Sequence, residues 1–371
     1  MGNLTIVRQA GLALLLASSA FAQPSLKDAF DGVFRIGAAL NAGVFSETDA
    51  AGAVIVKQHY NTITPENHLK WALVHPRMGQ YDFNPADRFV QFGAQNKMFI
   101  VGHTLVWHQQ TPRWVFEDAE GKPVGRDILL ARMREHIFRL VERYRRRVHA
   151  WDVVNEAIAD DGTMRQSPWL KGIGEDYVLK AFEYAQEADP SAELYYNDYA
   201  LEREAKRKGA VELIRKLKAA GAKVTAVGLQ GHNNLKFPTV AELEATIEAF
   251  KALGVKVAIT ELDVDVLPSR SGRATADLAA AGGAASAELD PYKAGLPEAV
   301  AKQQAERYAE LFRVFLKHRD TVTRVTFWGV TDATSWLNNF PIRGRTNYAL
   351  LFDRAGKPKP AFDAVLGVAK K

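Results

Sequence analysis

Trp151-Asp152-Val153-Val154-Asn155-Glu156-Ala157 is an apolar, aromatic and β-branched run that stops on an amide and a carboxylate. With His149 and Ala150 before it, the segment is short and rich in strand-forming side chains. It reads as a strand that delivers Glu156 into a polar opening. The pattern recurs at Val255-Lys256-Val257-Ala258-Ile259-Thr260, which leads into Glu261-Leu262-Asp263. Strands that are apolar on both faces belong to parallel sheets covered on both sides.

Working outward, strand-like stretches at Phe34 to Leu40, Tyr60 to Thr64 and Met98 to Gly102 precede the first of these runs. Glu193 to Asn197 and Val224 to Gln230 fall between the two runs, and Arg324 to Gly329 follows the second. The intervals carry helical faces. Met133, Ile137, Leu140 and Val141 recur with a 3.6-residue period, as do Ala210, Leu213, Ile214 and Leu217, and later Tyr308, Leu311, Phe312 and Phe315. Eight strands alternating with helices predict a (β/α)8 barrel in one domain, the economical closure at this length. An open doubly wound sheet is the alternative, but no Gly-x-Gly-x-x-Gly turn follows the first strand. In a barrel the strand ends converge on one face, so Glu66, His103, Asn155, Asn197, Gln230, Glu261 and Trp328 are expected to share a pocket. Ser269 to Gly295, rich in Ala, Gly and Ser, interrupts the pattern and is expected to be a long mobile loop after the seventh strand, beside the site.

The chain has 371 residues, 47% apolar and 25% charged, which excludes disordered and collagen-like classes. In residues 1–22, Arg8 precedes an apolar run and then the small residues of Ser18-Ser19-Ala20-Phe21-Ala22, the pattern of a secretory signal cleaved after Ala22. The run is shorter than the ~20 residues a membrane span needs. Export to a periplasm or beyond the cell is therefore expected, with residues 23–371 as the folded domain. Losing that segment removes Arg8 and no acidic residue, so the formal charge falls from +5 to +4. No block of Lys and Arg points to nucleic acid, no membrane association is expected of the mature chain, and a monomer is expected. Cysteine is absent, which excludes disulfides, thiolate zinc sites and cysteine nucleophiles. The nine His residues show no close ligand spacing, so neither a metal nor another cofactor is expected.

An isolated glutamate is usually a solvated surface group. Two glutamates at the ends of apolar strands, each among polar and aromatic residues, favour catalysis instead. Acid/base work on a glycosidic bond needs such a pair: one carboxyl protonates the leaving oxygen while the other meets the positive charge developing on the sugar. Asn155 and Gln110 supply amides near Glu156. His232, after Gln230, could bridge Asp263 and Glu261; charged, it would keep Glu261 ionised. Trp71, Trp107, Trp328 and Trp336 fall at or after strand ends, where an indole can pack on a pyranose ring, although core packing is the commoner fate of Trp.

Five segments together resemble glycoside hydrolase family 10, the endo-β-1,4-xylanases: Glu66-Asn67-His68-Leu69-Lys70-Trp71, Gly102-His103-Thr104-Leu105-Val106-Trp107-His108, Trp151 to Ala157, Ile259-Thr260-Glu261-Leu262-Asp263-Val264, and Trp328-Gly329-Val330-Thr331-Asp332. They occur in the family's order along the chain. The resemblance implies a retaining hydrolase with Glu156 as acid/base and Glu261 as nucleophile, their carboxyls ~5 to 5.5 Å apart, and the pKa of Glu156 raised in part by the charge of Glu261. It further implies that Glu66, Asn67 and Lys70 bind xylose units on the non-reducing side of the cut. His103, Trp107, Asn155 and Gln230 would surround the cleaved sugar, roofed by Trp328 and Trp336. Tyr199 would stack under the leaving side, His232 and Asp263 would support Glu261, and Gln110 would hydrogen-bond the acid/base. Gln109, where the family commonly has Ser or Asn, and the length of the 269–295 segment put leaving-side specificity in question. The substrate implied is xylan or xylo-oligosaccharide. A barrel cellulase and a polysaccharide-binding barrel without activity remain the alternatives.

Overall fold

The computed structural model describes residues 24–268, 282 and 285–370. The expected signal segment and most of the 269–295 loop therefore lie outside the described residues. Among the described residues nine strands run in parallel: β1 Arg35–Leu40, β2 Thr62–Pro65, β3 Phe99–Trp107, β4 Ala150–Asn155, β5 Glu193–Asp198, β6 Ala226–Leu229, β7 His232–Asn234, β8 Lys256–Asp265 and β9 Val322–Phe327. Each of β1 to β5 pairs with the next and β5 with β6; β6 then pairs with β8, β8 with β9, and β9 back with β1. That closes an eight-stranded barrel in a single domain, with the three-residue β7 as an extension beside β8.

A helix follows each barrel strand, from Ala50–His59 to the final Pro360–Ala369. The anticipated helical faces are the ones that turn inward: Met133, Ile137, Leu140 and Val141 are buried, as are Ala210, Leu213, Ile214 and Leu217. All six residues of β4 are buried, since one face lines the barrel interior and the other lies under helices.

Two strands run further than their sequence suggests. β3 continues past Gly102 to Trp107, with a register shift between His103 and Val106 that lets polar side chains remain in the ladder. β8 continues past Glu261 to Asp265 because β7 offers a partner, His232 pairing with Asp263 and Asn234 with Asp265. Glu261 thus sits inside a strand rather than at its end.

Close packing within the barrel depends on residues without side chains. Gly102 pairs with Trp151 across the β3–β4 ladder, and a Cβ there would overlap the indole of Trp151, which is fully buried. Replacing Gly102 with Ala must displace either the ring or the strand, so the variant is expected to lose ~1–3 kcal/mol of stability. A urea midpoint equal to that of the parent would contradict this packing.

Candidate active site

The mouth formed by the C-terminal ends of the strands holds a cavity of about 350 Å³. It is lined by Glu66, Asn67, Lys70, His103, Trp107, Gln110, Asn155, Glu156, Gln230, His232, Glu261, Trp328 and Trp336. Larger hollows of about 590 and 800 Å³ lie among the outer helices, and neither sets buried carboxylates among indoles.

Glu156 follows β4 with φ +60°, a left-handed conformation that costs a side-chain-bearing residue of order 1–2 kcal/mol. The turn is held on both sides. The Glu156 N–H donates to Asn197 O at 2.9 Å, and Arg165 Nε donates to Glu156 O at 2.9 Å. The carboxyl accepts from Trp107 Nε1 at 2.9 Å, from Gln230 Nε2 at 3.0 Å and from Asn155 Nδ2 at 3.1 Å. Gln110, expected to bind Glu156, lines the cavity instead, and its anticipated place at the carboxyl is taken by these three donors.

Glu261 is held from the other wall. His232 Nε2 lies 3.2 Å from Glu261 Oε2 while Nδ1 lies 3.0 Å from Asp263 Oδ2, so the imidazole bridges two carboxylates. Asp263 also accepts from Trp336 Nε1 at 2.7 Å, which ties the roof of the site to the same cluster. Asn197 Nδ2 donates to Glu261 Oε1 at 2.8 Å and to Asn155 Oδ1 at 2.9 Å, so side-chain amides link the two glutamates. Thr260 Oγ1 donates to Asn197 Oδ1 at 2.6 Å, and Gly228, facing Asn197 on β6, leaves the space that a Cβ would take from that oxygen.

The two carboxyls are driven in opposite directions. Burial pushes Glu156 up to about 6; the negative charge of Asp198 adds to this, and the hydrogen bonds from Gln230 and Trp107 and the charge of Lys206 oppose it. The added charge comes from Asp198 rather than from Glu261 as anticipated. Burial would raise Glu261 as well, but the His232 hydrogen bond and nearby positive charge, with Asn197, hold it below its ordinary value. For His232 burial lowers the pKa, and the charges and hydrogen bonds of Asp263 and Glu261 overcome it to reach about 10. One carboxyl is thereby kept protonatable near neutrality and the other ionised.

Beside the pair, burial raises Glu66 to about 7 against the pull of Lys70. Lys70 donates to Asn67 Oδ1 at 3.1 Å and lies 5.0 Å from the Trp107 ring centre. Trp328 packs edge-on against His103, whose Nδ1 donates to Asp152 Oδ2 at 2.9 Å.

Two expected or possible sugar contacts are not offered. Trp71 is core: it stacks on buried His136 at 3.7 Å. Tyr199 is only 2% exposed and does not line the cavity; the Lys206 ammonium covers its ring and Arg165 Nη2 donates to its hydroxyl at 2.9 Å. A stacking platform under the leaving side is therefore absent from Tyr199 in this conformation. Asp263 lies behind His232, buried at 1% exposure, as a support should. Asn197 was expected in the pocket without a role, while Asp152, Arg165, Asp198 and Lys206 were missed. For Lys206 a signal existed: it shares a helical face with Ala210, Leu213 and Leu217.

The model of glycosyl hydrolase family 10 matches residues 25–368. The chain belongs to this family. Endo-1,4-beta-xylanase A of Xylanibacter ruminicola is 44% identical over 96% of both chains. Beta-1,4-xylanase of Dictyoglomus thermophilum is 42% identical over 91% of this chain and 89% of its own. Among solved structures, a family 10 endoxylanase from a sugarcane soil metagenome superposes with a TM-score of 0.88 at 44% identity, over 94% of this chain and all of its own. Xylanase XynB of Paenibacillus barcinonensis, complexed with a conduramine derivative, gives 0.84 at 39% identity, over 94% of this chain and all of its own.

In a family 10 hydrolase, replacing His232 with Asn removes the positive charge beside Glu261, whose proton affinity must rise. The acidic limb of the kcat/KM profile is expected to move to higher pH, and an unmoved limb would contradict the role of His232. The stabilisation due to the raised His232 pKa is fully present below 6.5 and lost as pH rises through about 10. The parent should therefore lose more stability than the Asn variant between those values, as read from denaturant midpoints.

Proposed function

We infer that this family 10 member is a retaining endo-1,4-β-xylanase that cuts internal bonds of xylan or xylo-oligosaccharides. The observation that carries the reading is geometric: two buried carboxyls line one cavity, Glu156 held by the neutral donors Trp107, Gln230 and Asn155, and Glu261 by the His232 imidazole and Asn197. In the first step Glu261 attacks the anomeric carbon and Glu156 gives its proton to the leaving oxygen. The bond from carbon to Glu261 forms as the glycosidic bond breaks. In the second step Glu156, now a carboxylate, takes a proton from water, which displaces Glu261 and restores both groups.

Glu66, Asn67 and Lys70 are assigned to sugars on the non-reducing side. His103, Trp107, Asn155 and Gln230 are assigned to the sugar being cleaved, with Trp328 and Trp336 above it. Lys70 and Trp336 line the cavity where this sugar is assigned, which supports a preference for xylose, with no hydroxymethyl group, over glucose. The leader-like residues 1–22 support export of the mature chain, and no described helix is long and apolar enough to cross a membrane.

The test is reducing-sugar release from β-1,4-xylan with product configuration followed by NMR. The parent is expected to release β-anomer first and to act far more weakly on carboxymethyl cellulose. Glu156→Ala should lower kcat/KM on xylan by roughly 10²–10⁴-fold, and Glu261→Ala should abolish release. Early α-anomer, or cellulose cut as readily as xylan, would overturn the assignment.

A further inference from the structure

Two charges that take no part in the steps above lie buried against the Glu156 turn. Asp198 ends β5, and Lys206 lies on the helix Glu204–Ala219. Both are fully buried, neither lines the cavity, and the Lys206 ammonium is 2.9 Å from Asp198 Oδ1. A buried ion pair is weakly favourable at best compared with apolar packing, so its place in the fold needs another reason.

The partners of the pair supply one. Asp198 Oδ1 also accepts the Tyr199 N–H at 2.9 Å. Its Oδ2 accepts the Tyr196 hydroxyl and, at 3.4 Å, the N–H of Ile158, two residues beyond Glu156. Tyr196 Oη accepts the same Ile158 N–H at 3.2 Å. The Lys206 ammonium lies 3.1 Å from the Tyr199 ring centre and 3.6 Å from Asp160, in the loop that leaves the turn. The hydrogen bonds and ion pairs named here thus run to the end of β5 and to the segment that carries the chain away from the left-handed Glu156.

We propose that Asp198 and Lys206 are positioning residues for Glu156: Asp198 pins the backbone beyond the turn, and Lys206 balances the negative charge that Asp198 sets behind the Glu156 carboxyl. The proposal rests on Glu156 being the acid/base. After burial, Asp198 is the group that most strengthens proton binding at Glu156, and Lys206 acts against it. The other charged or titratable groups around the turn and the pair include Lys70 after β2, Arg165 and Asp160 after β4, Tyr177 beyond them, Tyr196 and Tyr199 on and just after β5, Glu202 and Arg203 before the helix, and Glu261 across the cavity. None of them changes in the variants below.

The charges give opposite signs. Asp198→Asn removes a negative charge, so Glu156 should release its proton sooner and the alkaline limb of kcat/KM on xylan should move down. Lys206→Met leaves Asp198 uncompensated, and the limb should move up; each shift is on the order of one pH unit. The double variant, neutral behind the turn, should return the limb close to that of the parent. As a second readout, a 2,4-dinitrophenyl xylobioside has a leaving group that needs no proton, so its kcat/KM should stay within a few-fold of the parent in all three variants. If the variants keep the parent's limb, or lose the dinitrophenyl substrate as heavily as xylan, the pair is merely structural and the proposal fails. Either single variant decides the sign alone, so a failure of one to fold leaves the other as the test. A parent protein inactive on xylan would refute the functional reading instead.

Discussion

Desolvation of two carboxyl groups at one end of the barrel is the constraint on which the site depends. An ionised carboxylate taken out of water must be paired or protonated. Glu156 and Glu261 are both buried, at 3% and 4% exposure, and they satisfy that requirement in different ways. Glu261 takes a cation, His232, which is itself held by Asp263; Glu156 takes neutral donors and is left with a raised proton affinity. The asymmetry a double displacement needs is thus a consequence of which partners the two strands present.

The barrel makes those partners available by bringing residues from distant parts of the sequence onto one layer. Asn197 can reach both Asn155 and Glu261 because β5 lies beside β4 and its next neighbour is a glycine. A side chain at Gly228 would occupy the place of the Asn197 oxygen, and the amide link between the glutamates would have to shift. The strained backbone at Glu156 is tolerable for a similar reason. Its own N–H and C=O, and the N–H of Ile158 beyond it, are each bonded to fixed groups on β5 or to Arg165.

What was legible in the sequence follows from what has a short-range signature. Apolar runs alternating with helical faces disclose the eight barrel strands and the helices, because burial on both sides of a strand leaves an unbroken apolar run. The glutamates, His232 and the indoles of the roof were legible because they stand out against those runs. Long-range partnering was not. The extension of β8 requires β7 as a neighbour, and β7 is three residues of polar sequence with no strand signature. Gln110 and Gln230 are equivalent as amides, and only the fold decides that Gln230 reaches Glu156. The family resemblance places Tyr199 under the leaving side, yet Lys206, seven residues further along the chain, is folded back over its ring. Trp71 is claimed by the core because a buried imidazole, His136, offers it a flat partner.

The same comparison separates two kinds of polar burial in this molecule. At Glu66 and Lys70, on the cavity wall, burial works against the charged form of each and a pocket open to sugar hydroxyls can return some of the lost solvation. At Asp198 and Lys206 no ligand can reach, and the charges must satisfy each other. A polar wall that a substrate completes is consistent with weak pairing in the free protein; a polar cluster sealed beneath a reacting group is not. Its partners have to be fixed before substrate arrives, and the contacts they make run to the backbone on which the acid/base stands.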